Sequence, residues 1–214
     1  MSRVVEFFSM NFEQLSHPQV DELYRLRHET FKTRLDWQVN SINGLEYDAY
    51  DTKNASYLFG MAEGEVVCSA RFINTQHKTM LSDIFSDYFQ GLNFPVDGNY
   101  VEVTRLFIDK KKRTALELCD CPISKMIFIA MIKYCHANNC KGMYAIVSQA
   151  MFAIFKRSGW NIDMLKTGVS EKNEKIYFIY MPADEEDIKR MIDKEKNQDA
   201  LSFSPDGWPL AFRV

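Results

Sequence analysis

Hydrophobic positions along the chain recur at either two-residue or three-to-four-residue spacing, and the switches between the two periods predict most of its elements. Residues 4–9 form a short apolar run suited to a first strand. From Pro18, VDELYRLRHETFKTRL places Val20, Leu23, Leu26 or Arg27, Thr30 and Phe31 at helical intervals, the pattern of an amphipathic helix on which Arg27 and Phe31 share a face. Residues 57–62 and 66–73, separated by Glu-Gly-Glu, predict a hairpin. On its second strand Val67, Ser69, Arg71 and Ile73 should face one way, and Val66, Cys68, Ala70 and Phe72 the other. Residues 80–89 read as a short helix ending before Gly91, and 100–109 as a strand. Pro122 opens a helix that is apolar on most sides and so packs deep. Residues 142–148, 160–168 and 175–181 predict strands, 149–158 a helix, and 183–195 a charged surface helix. The tail, with Pro205, Gly207 and Pro209, reads as irregular. Strand–helix alternation through the second half, with hairpins around it, points to one α/β domain with a mixed sheet covered by helices.

One strand breaks the pattern. YVEVTRLFID is β-branched and aromatic enough to be central, yet it carries Glu102, Thr104 and Arg105. Charge on a core strand usually serves a site, whereas on an edge strand the same residues would face water. In a regular strand Glu102 and Arg105 would lie on opposite faces; a β-bulge between them would turn both into one cleft. The segment DWQVNSINGLEYDAYDTKNAS interleaves aromatics with the acids Asp36, Glu46, Asp48 and Asp51, which is unusual for a mere connector. Together, Arg27, Phe31, Trp37, Asp48, Asp51, Arg71, Glu102, Thr104 and Arg105 compose a charge-balanced set suited to a zwitterionic, cationic ligand. Singly, each has a duller reading: an exposed helical charge, a turn former, a snorkelling arginine, a tryptophan plugging the core.

Composition narrows the classes. At 214 residues with 46% hydrophobic content and 16 Phe, the chain can bury a substantial core. A net charge of −3 argues against a sequence-independent grip on nucleic acid. No apolar run is long enough to cross a bilayer and the first residues lack a signal-peptide layout, so the expectation is a cytoplasmic protein with no membrane partner. The five cysteines show no CxxC pair and the four histidines no ligand spacing, so no metal is expected.

The spacing Arg27-x3-Phe31-x5-Trp37-x10-Asp48-x2-Asp51-x19-Arg71, followed by Glu102-x-Thr104-Arg105, resembles the signature of the acyl-homoserine-lactone synthases, the autoinducer synthases of bacterial quorum sensing. The resemblance continues through PISKMIFIAMIKYC, YAIVSQAM and RSGW, covering about residues 1–182 and leaving 183–214 as a helix and irregular tail on the same domain. It implies a single α/β domain similar to GCN5-type N-acetyltransferases, with a mixed twisted sheet split by a V-shaped cleft. It further implies S-adenosylmethionine as a substrate rather than a cofactor, an acyl chain delivered on acyl carrier protein, and N-acyl-homoserine lactone and methylthioadenosine as products. Glu102 and Arg105 are then the catalytic residues, with Glu102 the base; Arg27, Phe31, Trp37, Asp48, Asp51, Arg71 and Thr104 bind S-adenosylmethionine. Leu106, Phe128, Met131, Ala145, Val147, Met151 and Ile154 line an acyl slot, Ala145 standing where several makers of 3-oxo products carry Thr. Lys110, Lys111, Lys112, Arg113, Lys156 and Arg157 form a basic dock for the acidic carrier. Two rivals remain: an acyl-coenzyme A N-acyltransferase of the same fold, disfavoured by the glycine-free link DKKKRTALELCDCP, and a non-catalytic acyl or adenosyl sensor.

Overall fold

The computed structural model describes residues 3–89, 91–203 and 207–213. Strand β1 (Val4–Asn11) leads to helix α1 (His17–Arg27), whose first turn is closed by Gln19 Oε1 accepting the Ser16 N–H at 2.9 Å. The predicted helix then widens into π-helical turns over His28–Arg34, which bury Thr30 and Phe31. Two short strands, β2 (Ser41–Ile42) and β3 (Leu45–Glu46), pair around Asn43 and Gly44, both at positive φ, the geometry that an Asn-Gly hairpin turn requires. β4 (Ala55–Ala62) and β5 (Glu65–Asn74) form the predicted hairpin, and β6 (Tyr100–Ile108) is the charged strand. After it come α2 (Lys110–Ala115), α3 (Ile123–Ala137), β7 (Gly142–Ser148), α4 (Gln149–Ser158), β8 (Asp163–Val169), β9 (Lys175–Pro182), α5 (Glu185–Asp193) and β10 (Leu210–Arg213).

Among the described residues, eight strands make one sheet in the order β10-β1-β4-β5-β6-β7-β9-β8, antiparallel except for β6 and β7. That parallel pair is joined over only Tyr100–Glu102 and Gly142–Tyr144. Beyond Glu102 the two strands part, which opens the V-shaped cleft. One face of the sheet is covered by α3, and Ile188 and Met191 of α5 join Leu210 and Phe212 of β10 in the same core. On the other face, α1 and the π-helical segment pack with Tyr57, Phe59 and Phe107, while Phe89, Tyr144 and Phe178 make a separate aromatic cluster.

Four expectations need correction. Residues 80–89 contribute only a 3-10 turn at Phe85–Tyr88, because Ser82 and Ser86 hydroxyls hydrogen-bond the nearby carbonyls of Thr79 and Asp83 and compete with helical pairing. The basic link after β6 is helical, since Asp109 caps it by accepting the N–H groups of Lys111 and Lys112. The tail is not irregular throughout: β10 pairs with β1 and turns Leu210 and Phe212 inward. Finally, Val66 and Val67 exchange sides, Val67 joining the α3 core with Cys68 and Val66 the opposite core with Ile73, because β5 carries one extra residue opposite Gly60 and Met61. Pro205 lies outside the described residues.

Candidate active site

The bulge anticipated on β6 is present. Ser69 of β5 pairs with Phe107 and Arg71 with Thr104, so Arg105 and Leu106 together oppose Ala70. Arg105 adopts φ 53, the left-handed region used at the first residue of G1-type bulges. Side chains of Val101 and Val103 enter the α3 core, Phe107 enters the other side, and Glu102, Thr104 and Arg105 all reach that second side at the head of the cleft.

Three arginines and three carboxylates converge there. Arg27 donates from Nε to Glu46 at 2.5 Å and from Nη1 to Asp51 at 2.7 Å. Arg71 forks onto Asp48 at 2.5 and 3.0 Å, reaches Asp51 at 2.8 Å, and donates from Nε to Thr104 Oγ1 at 2.9 Å. Arg105 spans Glu46 and Asp48, each at 2.9 Å. Taken out of water singly, any of these charges would be costly; as a balanced set with directed hydrogen bonds the cluster is tolerated. Burial by itself would raise the Asp51 carboxyl, but Arg27, Arg71 and the Tyr57 hydroxyl outweigh it and hold the group down to about 2. The side chains of Arg27, Arg71, Glu46 and Asp51 are essentially sealed, whereas Arg105 is 9% and Asp48 15% exposed. The sealed members form a frame, and the exposed pair faces outward from it.

Glu102 sits apart from those ion pairs. Its Oε2 accepts the Met80 N–H at 2.9 Å and its Oε1 the Leu81 N–H at 2.7 Å. Burial pushes its carboxyl up to about 7 against the pull of those two N–H groups and of Arg71. A carboxyl poised there can take or give a proton near neutrality. Phe31 is buried, with Trp37 stacked on it at 5.0 Å and the Arg105 guanidinium 5.6 Å from its ring centre. Trp37 itself is 40% exposed, so it forms the outer layer of this stack.

Residues 11–191 match the autoinducer synthase family. The chain belongs to that family. An acyl-homoserine-lactone synthase of Serratia liquefaciens is 48% identical to this synthase over 192 residues, 88% of this chain and 94% of its own. Among solved structures, the CoA-dependent acyl-homoserine lactone synthase BjaI, with SAM and isopentyl-CoA, aligns with a TM-score of 0.78 at 19% identity over 89% of each chain. An acyl-CoA N-acyltransferase from Pseudomonas aeruginosa aligns with a TM-score of 0.52 at 12% identity, over 83% of this chain and 99% of that one. The expected similarity to the N-acetyltransferase fold is therefore found, and the protein is an acyltransferase, an acyl-homoserine-lactone synthase.

Every polar and aromatic residue of the synthase signature lies in this cluster, in its stack or, for Glu102, beside it. Of the residues expected along the acyl slot, Leu106, Phe128, Met131, Ala145, Val147 and Met151 belong to, or pack against, the α3-side core beside the parted strands. Ile154 does not: it is 38% exposed on α4, in a shallow depression of about 210 Å³ that it shares with Phe128, Arg157 and Lys125. Of the basic residues expected to form a dock, two are engaged within the chain. Lys112 pairs with Glu22 at 2.7 Å and Glu65 at 2.6 Å, and Arg113 donates to the carbonyls of Leu118 and Cys121 at 3.0 and 3.2 Å, so both are spent on holding α2 and its following turn. Lys110, Lys111, Lys156 and Arg157 stay exposed, Lys111 with Glu29 at 3.2 Å.

Sequence reasoning passed over Glu46, the carboxylate that joins Arg27 to Arg105, and Tyr57, which donates to Asp51. Glu46 was visible among the acids of its segment. The Asn43-Gly44 turn two residues earlier was the signal that this acid is fixed by a hairpin and not free in a loop. Among the described residues, no helix is long and apolar enough to cross a membrane, and no group of three His, Cys, Asp or Glu side chains is placed to hold a metal ion.

Proposed function

We propose that the synthase acylates the α-amine of S-adenosylmethionine with a chain carried on acyl carrier protein and then closes the lactone. The observation that carries this reading is the neutral cluster at the head of the cleft, with Glu102 beside it and only Arg105 and Asp48 turned outward. A zwitterion that also bears a sulfonium fits such a surface: Arg105 takes its carboxylate, and Asp48 its positive groups. Trp37 covers the adenosyl end from outside Phe31. Glu102 receives the amine proton as nitrogen attacks the thioester carbonyl and the carbon–sulfur bond to the carrier breaks. The carboxylate oxygen then attacks the carbon bearing the sulfonium, and the electron pair of that bond leaves on methylthioadenosine, a neutral thioether. Neither step transfers electrons or needs a further cofactor; holding the chain folded supplies the rate of the second. The acyl chain runs between the parted strands against Leu106, Ala145, Val147 and Met151, with Phe128 and Met131 behind them.

What supports the carrier as donor is that exposed Lys110 and Lys111 follow β6, and Lys156 and Arg157 lie on the last turn of α4, a basic complement to an acidic protein. A second reading, coenzyme A as donor, draws on the fold shared with the CoA-dependent BjaI. Mass spectrometry of the purified synthase with S-adenosylmethionine and matched acyl-carrier and acyl-coenzyme A panels decides between them. Lactone and methylthioadenosine from the carrier panel alone support the first, and from coenzyme A alone the second. Lactone from neither overturns both. Glu102→Gln should lower turnover by about 10²–10⁴-fold while S-adenosylmethionine still binds; undiminished turnover removes Glu102 as the base.

A further inference from the structure

Glu102 is oriented by a turn whose shape is fixed by two residues outside the ion cluster. Thr79 is buried and Ser82 exposed. The Thr79 N–H donates to Ser82 Oγ at 3.0 Å, the Ser82 N–H donates to Thr79 Oγ1 at 3.2 Å, and the Ser82 hydroxyl donates to the Thr79 carbonyl at 3.1 Å. This is the reciprocal logic of a capping box, with each side chain serving the other's backbone. The two residues it encloses, Met80 and Leu81, send their N–H groups to separate oxygens of Glu102 at 2.9 and 2.7 Å. A carboxylate gripped on both oxygens by adjacent N–H groups has its plane fixed.

We propose that the reciprocally bonded Thr79–Ser82 pair positions Glu102, holding the carboxylate plane at the angle at which a substrate amine delivers its proton. The proposal rests on reading Glu102 as the base. The other groups facing this carboxylate are Arg71 of β5 and Asp48 and Tyr50 of the segment after β3; Tyr144 is its backbone partner on β7. Asp83, next along the turn, is held separately by Tyr50 and Lys78 at 2.7 Å each. Loosening the Thr79–Ser82 pair therefore releases the Met80 and Leu81 N–H groups from the carboxylate and leaves the surrounding charges in place. The sign follows: burial favours the neutral acid and the N–H donors favour the anion, so losing them raises the pH at which Glu102 ionises.

The test is an infrared pH titration of the Glu102 carboxyl in the intact ligand-free synthase, taken as the difference from Glu102→Gln, beside the pH profile of kcat/KM for S-adenosylmethionine. Ser82 is exposed, so Ser82→Ala should fold. It should move both midpoints upward by about one pH unit, and Ser82→Thr, which keeps the hydroxyl, should restore them. Thr79→Ser should behave as the parent. An unmoved infrared midpoint in Ser82→Ala, or activity falling equally at every pH, overturns the proposal. Undiminished turnover by Glu102→Gln would instead defeat the base assignment, leaving the infrared midpoint to judge the hydrogen-bonded turn by itself.

Discussion

Val101 and Val103 leave one face of β6 into a core of Ile, Met and Phe from α3, while Glu102, Thr104 and Arg105 leave the other into three arginines and three carboxylates. Both environments are buried, yet they answer to different physics. On the apolar face each removed area of surface adds stability at about 25 cal/mol per Å², and the loss of one side chain is local. On the charged face desolvation roughly offsets attraction, so the cluster adds little net stability while the loss of any one member strands its partners. The same strand thus carries a face that holds the fold together and a face that the fold must support.

The sharpest way to break that contrast is Glu46→Ala, which leaves Arg27 and Arg105 without their shared anion. A loss of about 3–5 kcal/mol is expected, read as a lower denaturation midpoint at unchanged slope. An effect below about 1 kcal/mol would mean that water repairs the cluster. Next, Ile129→Ala on the apolar face should cost about 3 kcal/mol but leave turnover per folded molecule intact, where Glu46→Ala loses both. A smaller effect sharpens the comparison through pH. The Glu102 carboxyl ionises near 7 when folded against 4.5 for the ordinary side chain, so the native state holds an extra proton between those values and stability falls as pH rises through that window. The decline should be on the order of 2 kcal/mol and should flatten in Glu102→Gln, as melting curves at pH 5 and 8 would show. The smallest effect is expected at the exposed pair of Lys172 with Asp36, at 3.0 Å, where Lys172→Met should leave the denaturation midpoint where it was.

Much of this division was legible from sequence because it is written in periodicity. The alternation Val101, Val103 against Glu102, Thr104 assigns the two faces of β6, and the mismatch at Arg105 asks for the bulge that is found. The set of charges could be gathered from spacing and family resemblance. Which of them touch was not legible: Lys112 and Arg113 read like the rest of a basic run, and only folding brings Glu22 and Glu65 to one and the carbonyls after α2 to the other. Glu46 was hidden for a related reason, since its partners lie 19 and 59 residues away. The strand at residues 210–213 was masked by neighbouring Pro209 and Gly207, although Leu210 and Phe212 already alternate. Local signals report local structure, and long-range pairing overrides them.

The left-handed backbone at Arg105 has a bearing on engineering. A side chain there costs roughly 1 kcal/mol that Gly would avoid and Asn would reduce. Replacing Arg105 to relieve that strain would strand Glu46 and Asp48, a larger loss than the strain itself, so a screen for heat resistance alone would still retain the arginine whose charge looks out of the frame. Any campaign to harden this enzyme has to hold position 105 fixed and seek its gains on the helix-covered side of the sheet.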